Sequence, residues 1–257
     1  MSLRPSWAIC KHEFRVMRSD LETPIFLIVI PLLMTAFMKP LFRMALVGEG
    51  FAGANGSEQA VPGMAVMFST MFVGYMGFAF FRDHGWGTWE RLRASPASPL
   101  QIMVGKLLPP FAVSILQLVV LFSAGVLAFD LVIRGSTAAL VLVSGALTLA
   151  LLSFGVAVTA IARTSQQLDA WGGMGGLLFA MLGGSLVPVS VLPGWARWMA
   201  PATPTYWAME GYRSVLLTTG GLGDVLLPVI ALLGFAVAFT VVAVVKFRFD
   251  ETKVYWG

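Results

Sequence analysis

Six long apolar stretches constrain the fold of this chain more than any other feature of its sequence. A membrane-spanning helix needs about 20 mostly apolar residues. Charged residues are absent from the predicted spans or stand near their ends, and these spans are 23–44, 60–82, 107–129, 136–162, 170–190 and 225–246. The 257 residues are 58% hydrophobic and 12% charged, which is about half the charge of a soluble domain. We therefore predict an all-α fold, a polytopic membrane protein that forms a single domain over 1–257.

The first and fifth of these spans are less regular than the others. The first contains Pro31, and its later residues Lys39 and Arg43 are expected to extend their charges toward the membrane surface. In the fifth, Pro188 and Pro193 are expected to end the helix early and leave a re-entrant piece.

The distribution of basic residues predicts the orientation. Loops on the cytoplasmic side of a membrane carry an excess of Lys and Arg. With both ends of the chain inside, twelve basic residues fall on that side: Arg4, Lys11, Arg15, Arg18, Arg82, Arg91, Arg93, Lys106, Arg163, Lys246, Arg248 and Lys253. Five fall outside: Lys39, Arg43, Arg134, Arg197 and Arg213. We therefore predict a multi-pass protein of the cell membrane with its N- and C-termini in the cytoplasm.

The region before the first span predicts a helix in the membrane interface, over residues 1–22. Apolar side chains recur there at helical spacing, at Leu3, Trp7, Cys10, Phe14, Met17 and Leu21. Basic residues occupy other positions of the same helix, which is typical of interfacial amphipathic helices. A helix that lies free in water is the alternative, and it would have nothing soluble to pack on.

The predicted cytoplasmic loop between spans two and three contains a short helix within 85–97. Gly85 and Gly87 are expected to end the preceding helix, and Thr88 to cap the new one. Pro96 is expected to stop it, after which Ser98 begins the next helix through a capping box. The candidate docking residues for another protein are Thr88, Trp89, Glu90, Arg91, Leu92 and Arg93. A linker that only touches lipid headgroups remains the alternative.

The predicted outer region, 185–213, is rich in proline and tryptophan. Aromatic side chains such as Trp195 and Trp198 are typical of the membrane–water interface. We expect re-entrant helices at the outer leaflet. Glu210 and Arg213 are three residues apart and would share one helix face. They are either a structural ion pair or part of an outer gate.

The inner and outer loops together resemble the ABC-2 type permeases, the membrane subunits of ABC exporters. The resemblance lies in Gly87-Thr88-Trp89-Glu90-Arg91-Leu92-Arg93-Ala94-Ser95-Pro96 followed by Gly105-Lys106-Leu107, and in Leu192-Pro193-Gly194-Trp195 followed by Pro204-Thr205-Tyr206-Trp207. It implies that 85–97 forms a coupling helix seated on an ATPase subunit, and that 185–213 forms re-entrant helices over the outer end of the transport path.

Motifs for catalysis and metal binding are missing. The chain has no Gly-x-x-x-x-Gly-Lys-[Ser/Thr] phosphate loop, so we expect no ATP hydrolysis by this chain and no enzymatic activity. His12-Glu13 begins a zinc-protease pattern, but Val16 stands where the second histidine is needed, so no metal site is predicted. Basic residues do not gather with stacking aromatics, which argues against nucleic acid.

Composition and resemblance together predict the membrane subunit of an ATP-driven exporter in the drug- and antibiotic-resistance branch of the family. Its apolar spans favour an amphipathic or hydrophobic cargo such as a drug, a natural product or a lipid. The implied partners are two copies of an ABC ATPase, which would use ATP and Mg, and a second permease chain, identical or different. This chain itself is expected to bind no cofactor. A polysaccharide-type export permease, a secondary transporter and an assembly scaffold remain alternatives.

Overall fold

The computed structural model describes residues 4–19 and 22–246, apart from the side chains of 22–24, 75 and 76. Over these residues every regular element is a helix. The α-helices are α1 Arg4–Ser19, α2 Glu22–Gly48, α3 Ser57–Gly85, α4 Thr88–Arg93, α5 Pro99–Ala128, α6 Thr137–Ile161, α7 Ser165–Asp169, α8 Gly175–Leu182, α9 Gly194–Met199, α10 Pro204–Leu217 and α11 Leu226–Lys246. Arg248, Lys253 and the predicted helix positions 1–3, 20 and 21 lie outside the described residues.

Five of these helices are long and apolar enough to cross a membrane: α2, α3, α5, α6 and α11. Helix α3 lies at the centre of the bundle and contacts α2, α5, α6, α8 and α10. Its apolar window is 81% buried, whereas those of α2 and α11 are 22% buried. The outward faces of α2 and α11 are therefore the surfaces available to lipid or to another chain.

The helix observed in place of the fifth predicted span begins and ends at residues other than the predicted ones. Helical backbone runs without interruption from α7 through a π-helical turn, Ala170–Met174, into α8. It begins five residues before the predicted 170 and ends at Leu182 rather than at 190. Two glycines end it, because Gly184 has φ +84°, a value that L-residues rarely adopt. These 18 residues rise about 27 Å, close to the thickness of a hydrocarbon core.

Helix α1 buries a face that carries both polar and apolar residues. Cys10 and Met17 point inward, and Ser6 and Glu13 join them on the buried face. Trp7 is 65% exposed and Phe14 is 40% exposed. The apolar pattern combined residues from two faces, one packed on α5 and one turned outward. An ion pair of Glu13, described below, holds the polar face inside.

The helices alternate in direction and place their ends in two groups. We call the group that contains α4 the α4 end, and the opposite group the α10 end. A crevice brings the beginning of α5, at Pro99 and Met103, beside Thr240 and Val244 near the end of α11. At the opposite end, Gly135 donates a backbone hydrogen bond to Val215 of α10. Thus α3, α6 and α11 finish at the α4 end.

The proline-rich segment at the α10 end folds into short helices. A 3₁₀ turn, Val189–Val191, precedes α9, and a second 3₁₀ turn, Ala200–Ala202, leads into α10. Trp195 and Trp198 of α9 are 66% and 84% exposed. Helix α10 continues four residues beyond the predicted 213 and packs its buried Tyr212 against Phe122 of α5. The segment therefore presents aromatic side chains outward and anchors itself through α10.

Candidate functional site

Helix α4 forms where the sequence indicates it, but through a different cap. Gly87, with φ 67°, occupies the N-cap position, so no side-chain hydrogen bond caps the helix. Only glycine adopts this left-handed conformation at little cost. The Thr88 hydroxyl, expected to cap the helix, donates instead to Asp83 Oδ1 at 2.9 Å. Thr88 therefore ties α4 back to the end of α3.

The helix that follows α4 begins as predicted. Ser98 accepts a hydrogen bond from the Gln101 backbone N–H at 3.4 Å, and the Gln101 side chain accepts one from the Ser98 N–H at 2.8 Å. Pro99 occupies the first helical position. This capping box fixes the direction in which α5 leaves the short connection.

The six candidate docking residues divide into an inward and an outward set. Trp89 is 3% exposed, stacks on His84 with ring centroids 4.6 Å apart, and packs with Phe80 and Ile102. Leu92 packs against the same cluster. Glu90, Arg91 and Arg93 are exposed. A partner can therefore contact the three charged residues, whereas Trp89 anchors α4.

Four charged side chains meet beneath α4, and we call them the four-charge cluster: Glu13, Arg82, Asp83 and Lys106. Lys106 Nζ lies 2.7 Å from Glu13 Oε1 and also contacts Asp83 Oδ2. Arg82 Nη2 lies 2.5 Å from Glu13 Oε2. Lys106 donates a further hydrogen bond to the Ala79 carbonyl at 3.2 Å. The cluster contains two positive and two negative groups and is electrically balanced.

The cluster is buried because α1 approaches α5 closely. Lys106, Glu13 and Asp83 are 1%, 3% and 4% exposed. A Cβ added at Gly105 would lie 2.7 Å from Ile9 Cβ and 2.8 Å from the Ser6 carbonyl oxygen. Only glycine leaves room for the α1 backbone at this point, and the adjacent Lys106 then reaches Glu13. This contact explains the pair Gly105-Lys106, which the loop pattern included without a role.

A groove of about 450 Å³ runs between α1 and α4, above the four-charge cluster. Ala8 and Ile9 of α1 form one wall. Arg91, Leu92 and the turn residue Pro96 form the other. Glu13 and Asp83 also line it, so the groove is mostly apolar and carries charges from Glu13, Asp83 and Arg91.

Arg213 at the α10 end has different partners from the predicted one. Its guanidinium contacts the Glu49 carboxylate and donates to Gln59 Oε1 at 3.0 Å. Glu210 is exposed, and no salt bridge joins it to Arg213 among the described residues. The helical spacing alone did not decide the pairing, because Glu49 approaches from the end of α2, 164 residues away in sequence.

Glu49 extends this network to the segment between α8 and α9. Ser190 donates to Glu49 Oε1, and Arg197 donates to the Ser190 carbonyl at 2.6 Å. Gln59 donates to the Gly184 carbonyl at 2.9 Å. We call Glu49, Gln59, Ser190 and Arg213 the outer network. It joins α2, α3 and α10 to the loop that follows α8.

The fold and these sites define a polytopic α-helical membrane protein with the short α4 at one end and several short helices at the other. The chain belongs to the ABC-2 type transporter family, whose sequence profile matches residues 6–217. The match covers both the α4 loop and the α10 segment. The expected family membership is confirmed.

Individual relatives are transporter permeases. The chain is 28% identical over 149 residues to the protein named Probable multidrug ABC transporter permease YbhR of Escherichia coli strain K12, covering 55% of this chain and 39% of that one. It is 29% identical over 178 residues to the Linearmycin resistance permease protein LnrN of Bacillus subtilis strain 168, covering 68% and 46%. The chain thus matches less than half the length of either relative.

Proposed function

We propose that this chain is the transmembrane permease of an ATP-driven ABC exporter, powered by a separate ATPase subunit. The observation that carries the proposal is α4. It projects Glu90, Arg91 and Arg93 from one end of the bundle, while Trp89 holds it to α3 and α5. An exposed, charged helix on a buried anchor is suited to receive force from another protein. Helices that only cover headgroups need no such anchor.

The cargo that fits this proposal is amphipathic or hydrophobic, such as a drug, a natural product or a lipid. Two of the relatives are named for multidrug transport and for linearmycin resistance, which supports this class. Two permease chains would form the path, and two ATPase copies would bind ATP and Mg. This chain is expected to hold neither.

The proposed topology has six spans with the α4 end in the cytoplasm. The continuous helix from α7 through α8 would be the fifth span, in addition to the five long apolar helices. Exposed basic residues gather at the α4 end, at Lys11, Arg15, Arg163 and Lys246 among others. At the α10 end, Lys39, Arg134 and Arg213 each face a carboxylate. The larger number of Lys and Arg residues at the α4 end supports this orientation.

The outer network is proposed to act as an outer gate contact, one of the two roles that the sequence left open for Glu210 and Arg213. Arg213 would release Glu49 when the outer end opens, because the pair joins α2 to α10. Glu210 faces outward and is proposed to be dispensable for the gate.

The double variant Glu90→Ala with Arg91→Ala tests the coupling role of α4. We expect the ATPase subunit to co-purify at least about tenfold less, because truncating interface hot spots costs about 2 kcal/mol or more. The yield of the permease and its thermal unfolding in detergent should be unchanged, since both side chains are exposed. Arg163→Ala is the matched control, because Arg163 is an exposed arginine at the same end.

An undiminished complex with undiminished transport would overturn the assignment of α4. Failure of the unaltered chain to recover any ABC ATPase would overturn the exporter proposal itself. Export that continues in ATP-depleted vesicles and follows an ion gradient would favour a secondary transporter.

A further inference from the structure

The four-charge cluster joins several helices at the α4 end. Glu13 belongs to α1, Arg82 and Asp83 to α3, and Lys106 to α5. Thr88 adds α4, because its hydroxyl donates to Asp83 Oδ1 at 2.9 Å. Four separate helices therefore meet at charges that are almost completely shielded from solvent.

Lys106 occupies the middle of this arrangement. Its ammonium contacts Glu13 from α1, Asp83 from α3 and the Ala79 carbonyl, and it lies 5.3 Å from the centre of the Phe80 ring. Its side chain is 0% exposed. Because all these partners converge on one ammonium group, a displacement of α1 relative to α3 or α5 would separate buried opposite charges.

Stability alone does not explain such a cluster. Replacing buried ion pairs by well-packed apolar residues is often neutral or stabilising, whereas removing one partner leaves an uncompensated buried charge. The directional contacts do explain it, because they define one relative position of the helices. The neighbouring apolar cluster of Phe80, Trp89 and Ile102 lacks this directionality.

We propose that Glu13 and Lys106 are positioning residues that lock α1, α4 and the adjoining ends of α3 and α5 into one rigid unit. The inference rests on the proposed function. When the ATPase moves α4, the unit passes the displacement to α3 and α5 together rather than bending the connection between them. Since α3 is the central helix, the displacement then reaches every helix packed around it.

The test uses the full chain in lipid nanodiscs with its ATPase. Single variants Glu13→Gln and Lys106→Met each leave a charge unpaired, so they risk misfolding. The double variant Glu13→Gln with Lys106→Met removes one charge of each sign and keeps the net charge of the cluster at zero. Arg82 keeps its contact with the Trp86 ring, and Asp83 keeps its hydrogen bond from Thr88. Lys106→Arg keeps the positive charge and is the conservative variant. Lys11→Met, on the exposed face of α1, is the control.

Spin labels report on the rigidity of the unit. In a Cys10→Ser background, labels are placed at Ala94→Cys beside α4 and at Leu127→Cys near the other end of α5, both exposed. For the otherwise unaltered chain we expect one narrow distance, the same without nucleotide and with ATP plus vanadate. For the double variant we expect a broadened distance that changes with nucleotide. For Lys106→Arg, in which Glu13 is intact, and for Lys11→Met we expect the same narrow distance as for the unaltered cluster.

A second measurement does not depend on the ATPase. In chains that retain Cys10, alkylation by N-ethylmaleimide reports whether α1 remains docked, because Cys10 is 1% exposed. At a pH where the thiol is ionised in both chains, so that the loss of the Glu13 charge does not set the rate, the double variant should react about tenfold faster or more, since local opening becomes less costly.

A narrow, nucleotide-independent distance together with a shielded Cys10 in the double variant would overturn the inference. So would a distance in the unaltered cluster that itself changes with ATP. If no ATPase binds the unaltered chain, the proposed function fails, and the transmission of movement fails with it. The rigid unit is then still judged by the label distance without nucleotide and by Cys10 alkylation.

Discussion

Single residues at the α4 end have environments that differ sharply from those of their sequence neighbours. Glu13 is buried between Arg82 and Lys106, whereas the adjacent His12 and Phe14 are exposed. Cys10, one turn before Glu13, packs against the same interior. The positions of these two residues decide which face of α1 is fixed to the protein.

Cys10 should react slowly with maleimide and show a shifted pH profile. Burial, and to a lesser degree the Glu13 carboxylate, raise the pKa of the Cys10 thiol above its ordinary value. The thiolate is the reactive form, so a raised pKa leaves less of it at any given pH. The alkylation rate should therefore keep rising with pH beyond the point at which a free cysteine levels off.

Rates of alkylation from pH 7 to 10, measured beside a free-thiol peptide, check this expectation. Cys10 is the single cysteine of the chain, and a Cys10→Ser chain corrects for the adducts that lysine amines form at high pH. A profile that coincides with that of the peptide would show that α1 does not dock as described.

Elements at the α10 end depend on contacts between distant parts of the chain. Glu49 joins the end of α2 to α10 and to the loop that contains Ser190. Arg197 then holds the Ser190 carbonyl from α9. The 3₁₀ turn Val189–Val191 and α9 bury only Ala196 and rely on the outer network for position.

Glu49→Gln should loosen the segment 183–199 without unfolding the bundle. The substitution removes the ionic contact with Arg213, whose side chain is 23% exposed. A charged hydrogen bond of this kind contributes about 1.5–3 kcal/mol, so amide exchange in 183–199 should accelerate about tenfold or more. Hydrogen–deuterium exchange with mass spectrometry measures it.

Glu210→Gln is the matched control and should leave this exchange unchanged, because Glu210 is exposed and is not in the outer network. Equal protection in the two variants would mean that Glu49 does not hold the segment.

Local signals in the sequence were sufficient to predict several of these elements. Ser98, Pro99 and Gln101 specify the start of α5 within four residues, and they form the expected capping box. The partner of Arg213 could not be found in this way, because Glu49 is brought beside it only by the packing of α2 on α3. The sequence predicts Trp89 on the docking surface, but the side chain is buried. Its burial could not be predicted, because it depends on His84 and Ile102 from other helices. The burial of Glu13 could have been predicted from its helical spacing to Cys10 and Met17, which places the three residues on one face of α1.

The whole molecule has chemically different ends. Basic side chains at the α4 end are largely displayed outward, whereas several at the α10 end are neutralised by Glu49, Glu58 or Asp130. This polarity predicts how the protein sits in its membrane.

Cysteine labelling of intact cells tests the orientation. In a Cys10→Ser background, we expect a membrane-impermeant maleimide to label Thr219→Cys at the α10 end and not Ala94→Cys at the α4 end. Both positions are exposed. Permeabilised cells should label both, which controls for reactivity. Labelling of Ala94→Cys alone in intact cells would reverse the proposed topology.

The π-helical turn at Ala170–Met174 has a consequence for any helical wheel drawn through this segment. Each residue of an α-helix advances by about 100°, and a π turn holds one residue more than an α turn. Residues before and after the turn therefore lie on different faces of the helix from those that a constant step of about 100° would predict. Leu168, which is buried, and Met174, which is 67% exposed, must be mapped in separate registers. A scan of this helix for path-lining positions has to restart its count at Gly175.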